Sequence, residues 1–319
     1  MSFHVDSGIL AEFCTAATEL FGKDGSQDIR VMLCDGKTGS LLHRDIIRMD
    51  SLSQFVGRLK SEWLVDYLRE DSVESVFHPM VNPRTGRIEA YECLMRGVLP
   101  NGEVKQPSEM ISSARSTGLL LHLDRIARIS AIRNAAKEKV RETIFINFNP
   151  STTCDPELCL RSTVTAAESA GISPSRIVFE VTESEFVTDS DHLKKILSYY
   201  RSHGFRIALD DLGSGYSGLS LLTELKPDFV KLDMSLIRKI DTDLYKQQVT
   251  RSILEMATRV GVRTVVEGVE THAEWSWTAE HGADMIQGYY FAKPAFIPPR
   301  GPDITNWRAD SKATYLYSA

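Results

Sequence analysis

Nothing in this chain of 319 residues offers a broad positive surface. Its 37 lysines and arginines stand against 43 aspartates and glutamates, a net charge of −6, which argues against holding a nucleic-acid polymer by its phosphates. No run approaches the roughly 18 apolar residues of a membrane helix, and the N-terminus lacks a basic-then-apolar signal pattern. A cytoplasmic protein with no membrane segment is therefore expected. The CxxC spacing is missing as well. The five cysteines, Cys14, Cys34, Cys93, Cys154 and Cys159, are odd in number. Cys154 and Cys159 flank DPEL with no second Cys/His pair nearby, so free thiols in a reducing compartment are expected in place of a zinc site. There is no internal repeat and no low-complexity stretch. What remains is ordinary for a globular protein, 42% hydrophobic and 25% charged, and long enough for a large domain plus a small one, or for one barrel with extensions.

From about residue 76, short β-branched apolar runs alternate with helical patterns. The strand candidates are VFHPMV (76–81), RIEAYECLM (87–95), TIFINFN (143–149), RIVFEVTE (176–183), FRIALDD (205–211), DFVKLD (228–233), VRTVVEG (262–268) and ADMIQGYYF (283–291). Amphipathic stretches such as LDRIARISAIRNAAK and DHLKKILSYYRSHG lie between them, and Gly204 and Gly261 stand where helix-ending glycines do. Eight strands alternating with helices predict an α/β fold, a (β/α)8 TIM-type barrel. The tight turn NPRTG makes the first two strands an antiparallel hairpin, a modification of the regular barrel. Residues 1–72 read as a small α+β extension: a helix at ILAEFCTAATELFG, a hairpin around DGKTG, and one helix over LSQFVGRLKSEWLVDYLRED feeding the barrel. The expected division is 1–72, 73–297 for the barrel, and 298–319 as a C-terminal tail.

Chemistry in such a barrel sits where strands end at the C-terminal face. The polar residues near those ends are Glu92 and Arg96, Asn147 and Asn149, Glu180 and Glu183, Asp210 and Asp211, Lys231 and Asp233, Glu267 and Glu270, and Gln287. Any one of them alone is more often a solvated loop charge or a helix cap. As a set they end strand after strand, and so many carboxylates at one rim need cations. Carboxylates and an amide oxygen without clustered His or Cys favour Mg2+ or Mn2+ over zinc. Asp210 could bridge two ions, Glu92, Asn147 and Glu180 completing one and Asp211 the other, as in two-metal phosphoryl displacement. Lys231 and Glu267 are candidates to orient or deprotonate water, and the fork of Arg96 suits a substrate phosphate. The run GSGYSG (213–218) fits a dinucleotide fingerprint, but two aspartates beside a pyrophosphate and a short following helix argue against an NAD-type oxidoreductase.

Together these segments resemble the EAL-domain family of cyclic-di-GMP phosphodiesterases. The naming tripeptide corresponds to Glu92-Cys93-Leu94 in YECLMRG, and DDLGSGYSGL, FINFNP, FEVTES, KPDFVKLDMSLI, VVEGVET and IQGYYFAKP follow in family order across residues 76–296. The resemblance implies metal ligation by Glu92, Asn147, Glu180, Asp210 and Asp211. It implies water-orienting Lys231 and Glu267 as a general base or second-metal ligand. Glu183 would brace the loop after Asp211, and Glu270 would support Lys231. Leu94, Arg96, His78, Gln287 and Asp233 would line the substrate site. The implied reaction hydrolyses cyclic-di-GMP to linear pGpG with Mg2+ or Mn2+, two per site, in a homodimer; a catalytically silent cyclic-di-GMP receptor is the alternative. Cys93 stands for the family's alanine, His78 for its glutamine, Leu212 for its phenylalanine, and FNFNP for its Asn-Val-Ser-Pro. No proposed ligand is lost.

Overall fold

The structure, a computed structural model, describes residues 12, 16–17, 19–21, 27–31, 49–69, 72–99, 101–150, 156–182, 190–215 and 218–300. Two compact units emerge, residues 1–73 with 97–123, and residues 74–96 with 124–319. In chain order the elements are β1 (Arg30–Val31), β2 (Asp50–Ser51), α1 (Leu52–Lys60), α2 (Glu62–Arg69), β3 (Val73–Val81), β4 (Ile88–Val98), β5 (Val104–Lys105), α3 (Pro107–Thr117), α4 (Leu120–Lys137) and β6 (Thr143–Asn147). There follow α5 (Pro156–Ala170), β7 (Ile177–Thr182), α6 (Ser190–Ser202), β8 (Arg206–Leu212), α7 (Gly218–Leu225), β9 (Phe229–Leu232), α8 (Met234–Ile237), α9 (Leu244–Val260), β10 (Arg263–Val266), α10 (His272–Glu280) and β11 (Met285–Gln287). No helix among the described residues is long and apolar enough to cross a membrane.

In the first unit, β1 and β2 pair antiparallel, Arg30 opposite Ser51. Ser51 then caps α1, its hydroxyl accepting from the Gln54 amide while Gln54 reaches back, a capping box that fixes the helix start. The single helix expected over 52–71 is two, interrupted at Ser61, whose N–H turns back to Arg58 O at 3.0 Å. The turn DGKTG lies outside the described residues, and the strand β1 has its partner at 50–51, beyond the expected hairpin.

The second unit holds the barrel. Strands run in the order β3-β11-β10-β9-β8-β7-β6-β4, and β3 also pairs with β4, which closes the ring. Pairings from β4 through β6, β7, β8, β9 and β10 to β11 are parallel. Strand β3 runs antiparallel to β11, with Gln287 opposite Met80, as the NPRTG hairpin required. The parallel strands are apolar along both faces because helices cover the outside and side chains fill the inside. Outside, Phe179, Val181, Ile196, Tyr200, Leu254 and Ala257 belong to one continuous core. Inside, each strand contributes one residue to a plug: Met80, Ala90, Phe145, Val178, Ala208, Phe229, Val265 and Met285. Phe145 and Phe229 meet edge to face at 5.0 Å in it. Burying each larger side chain of this plug contributes about 1.5–3 kcal/mol. The plug is the floor on which the site stands.

Candidate active site

Side chains alternate across a strand, so the next residue facing the barrel interior lies two positions on. Counting two from each floor residue gives Glu92 after Ala90, Asn147 after Phe145, Glu180 after Val178, Asp210 after Ala208, Lys231 after Phe229, Glu267 after Val265 and Gln287 after Met285. In antiparallel β3 the count runs backwards, from Met80 to His78. One polar layer thus sits directly above one apolar layer. Seven of its eight members are the strand-end residues picked out above; the eighth, His78, was read only as a substrate contact.

Lys231 is the centre of the layer. Its Nζ lies 2.7 Å from Glu180 Oε1, 2.7 Å from Glu267 Oε1, 3.1 Å from Asp210 Oδ1 and 3.7 Å from Glu92 Oε1. The Glu92 carboxylate accepts from Gln287 Nε2 at 2.9 Å and Asn147 Nδ2 at 3.2 Å. Burial opposes ionisation of Glu92, but Lys231 and these two amides outweigh it and hold the group below its ordinary value. Glu180 goes the other way. Burial drives it well above the carboxylate range, with Glu92 and Asp210 adding to the effect against the pull of Lys231. Burial likewise pushes Glu267 up to about 8, against Lys231 and with Asp210 and Glu92. For Lys231 the cost of burial is overcome by its four carboxylates, which raise it well above a normal lysine. The ammonium is permanently charged.

Asp210 and Asp211 are neighbours, so a regular strand would aim them at opposite faces. Strand β8 breaks its register against β9 between Leu209 and Leu212, and Asp211 adopts φ +59°. A bulge of this kind re-aims side chains, and aspartate tolerates the left-handed region better than most residues. The result is that oxygens of Asp210, Asp211 and Glu267 come within 4.8 Å of one another. Burial, then the Asp210 charge, lifts Asp211 to about 6. Just beyond, Gly213 has φ +106° and a Cβ there would strike Leu236 of α8, so glycine is required for the turn.

The donor set fits divalent cations. Five carboxylates, Glu92, Glu180, Asp210, Asp211 and Glu267, surround one ammonium and leave a formal charge of −4 when all are ionised. Glu180 Oε1 faces the Lys231 ammonium at 2.7 Å, while its buried Oε2 has no hydrogen-bond partner among the described residues. An orphaned oxygen of this kind is costly unless something else occupies its lone pairs. Oxygen-only donors favour hard ions.

The remaining predicted residues divide. Leu94 and Arg96 follow Glu92 on the same face of β4 and are half-buried; Arg96 Nη1 donates to Met95 O at 2.7 Å. The His78 ring lies 5.9 Å from that of Tyr289, and burial lowers its pKa below 6.5, against the nearby Glu92. Asp233 caps α8, accepting from Ser235 N at 2.9 Å. The carboxylate of Glu270 pairs with Arg238, while the ion pairs of Lys231 among the described residues are with the four acids above. Glu183 lies outside the described residues. Sequence reading missed Glu274, whose buried carboxylate accepts from Lys239 N at 3.0 Å, Glu270 N at 2.9 Å and Thr271 N at 3.1 Å, tying down the loop that carries Glu267. The capping box Thr271–Glu274 was the available signal.

A family model for the EAL domain matches residues 61–294. A probable cyclic di-GMP phosphodiesterase, PdeG of Escherichia coli (strain K12), is 32% identical over 222 residues, 68% of this chain and 44% of that protein. The cyclic di-GMP phosphodiesterase PA2567 of Pseudomonas aeruginosa is 30% identical over 249 residues, 77% of this chain and 40% of that protein. The chain thus spans under half the length of these two curated relatives. A standalone versatile EAL protein from Vibrio cholerae O395, solved in a c-di-GMP bound form, superposes with TM-score 0.67 at 40% identity, covering 73% of this chain and 97% of that one. The manganese/cy-diGMP complex of Klebsiella pneumoniae BlrP1 gives 0.65 at 27% identity over 87% and 72%. With the family match over most of the chain, these findings identify it as a member of the EAL domain family.

Proposed function

We propose that the chain is a metal-dependent phosphodiesterase that opens one phosphodiester of cyclic-di-GMP to give linear 5′-pGpG. The observation that carries this reading is the polar layer above the barrel floor, with Lys231 bonded among four carboxylates and every proposed ligand retained. Glu92, Asn147, Glu180, Asp210 and Asp211 would hold two Mg2+ or Mn2+ ions. When bound, such ions neutralise charge on a phosphoryl group and make water a stronger nucleophile. Glu267, which burial lifts to about 8, would in its ionised form be a stronger base toward the attacking water than an ordinary carboxylate. Lys231 orients that water with a charge that four acids keep fixed. Arg96 offers two-point donation to a phosphate oxygen pair, and Leu94, His78, Gln287 and Asp233 shape the pocket around the nucleotide.

Residues 73–297 would form this catalytic barrel in the cytoplasm, with 1–72 a regulatory extension and 298–319 a tail. A homodimer through the region of α7 is supported by exposed apolar side chains there and nearby, Leu219 at 58% and Met234 at 48% exposure. The test is incubation of purified chain with cyclic-di-GMP and Mg2+ or Mn2+, followed by chromatography for pGpG. Tight binding without product would leave a receptor and sink the enzyme reading.

A further inference from the structure

Arg128 of α4 is 1% exposed, and the reaction does not use it. It forms an ion pair with Asp124, one helical turn earlier, whose side chain is 9% exposed. Its Nε donates to Thr163 Oγ1 of α5 at 3.3 Å, and its guanidinium lies over the Phe148 ring at 5.1 Å. A buried ion pair is seldom a net source of stability, because removing two charges from water offsets their attraction. What this pair does is local. Asp124 Oδ1 accepts the backbone N–H of Asn149 at 3.0 Å, and Phe148 N donates to Glu180 O at 3.0 Å. Phe148 is wedged edge-on against Phe179 and Tyr200, with centroids at 6.2 and 5.4 Å. The three residues 147–149 leave strand β6 along this path, and the first of them is the one neutral ligand in the proposed metal set.

We propose that Asp124, oriented by Arg128, is a positioning residue for metal binding: it fixes the backbone after β6 so that Asn147, and Glu180 joined to it through Phe148, present their oxygens to the cation. The proposal rests on the metal-dependent reading of the site. It assigns the ion pair to the geometry of two ligands on neighbouring strands, a role distinct from holding helices together. Residues that orient metal ligands typically carry 10–100-fold of metal affinity.

Two double variants separate positioning from stability. Asp124→Leu/Arg128→Met removes the acceptor for Asn149 but replaces the ion pair with apolar volume, a change that is often neutral or stabilising. Asp124→Asn/Arg128→Gln keeps an acceptor oxygen in place and removes both charges. Mn2+ affinity, read by electron paramagnetic resonance of the free ion, should fall about tenfold or more in the first pair and stay within about threefold of wild type in the second. Thermal midpoints are recorded alongside. Should the apolar pair not fold, Asp124→Ala against Asp124→Asn gives the same contrast, and Leu254→Ala, a core truncation in α9, controls for lost stability. Equal Mn2+ affinity in wild type and the apolar pair, or an equal loss in the Leu254 control, overturns the proposal. If wild type binds Mn2+ no better than Glu92→Gln, the metal reading itself fails, and the positioning role goes with it.

Discussion

Seating a divalent cation in this barrel should release protons, because the carboxylates that would hold or face it carry them at neutral pH. Glu267 titrates at about 8 and Asp211 at about 6. At pH 7 the first is then roughly 90% protonated and the second roughly 10%, so a cation displaces about one proton from this pair. The sign for stability follows. A carboxyl whose folded value is raised favours the fold below its unfolded value and loses that contribution as pH climbs through the folded one. With about 1.4 kcal/mol per unit, ionising Glu267, raised from 4.5 to about 8, costs the cation-free protein on the order of 5 kcal/mol. The assay is calorimetric titration with Mn2+ at pH 7 in buffers of different ionisation enthalpy, repeated from pH 6 to 8. We expect a buffer-dependent heat equivalent to at least about one proton and an affinity rising about tenfold per pH unit. Added cation should also raise the melting temperature more at pH 8 than at pH 5.5. Heats independent of buffer, with a flat affinity across that range, would refute the electrostatic picture of the layer.

Lys231→Met leaves four carboxylates without their shared ammonium, so turnover should be lost and the cation-free fold weakened by about 3–5 kcal/mol, read by urea unfolding with and without Mg2+. The deficit should shrink when Mg2+ is present; an unchanged deficit would show that the acids do not share a cation. Glu274→Ala abandons three backbone N–H groups and should cost about 3 kcal/mol in the same assay, with kcat falling alongside. Glu274→Gln should recover part of both. Because burial holds His78 below 6.5, its ring is neutral at pH 7, and His78→Gln should alter the pH–rate profile only on the acid side; a change above pH 7 would show that His78 titrates in the working range.

Much of this was legible in the sequence because strands buried on both faces spell themselves out. Runs such as IVFEV and RTVV have no competing helical period, and a polar residue inside each stands out against them. The antiparallel β3 was legible from NPRTG. The layer itself was harder to read, since strand ends give a rim and not a depth. Only the floor residues, one per strand, show that Glu92, Lys231 and Gln287 occupy a single level and that His78 completes it. Adjacent Asp210 and Asp211 pointed to a cation, but nothing in the text of the chain announced the bulge and left-handed Asp211 that turn both to one place. Supports escaped altogether. Asp124 and Glu274 act on backbone N–H groups, those of Asp124 25 positions away, and a backbone donor has no letter in the sequence. The short stretch VVEGVET has two glutamates, and the sequence does not mark that only Glu267 meets Lys231 directly while Glu270 pairs with Arg238, the chain turning between them at Gly268 with φ +70°. The grouping of 97–123 with the N-terminal residues has no compositional mark either.

The most direct test of the central claim follows the oxygen. The chain is incubated with cyclic-di-GMP and Mn2+ in H2 18O, and the product is weighed by mass spectrometry. The account predicts linear pGpG carrying one 18O on its terminal phosphate, formed only with the cation and absent for Glu92→Gln. Cyclic-di-GMP bound and recovered intact from the metal-loaded wild-type protein would contradict it.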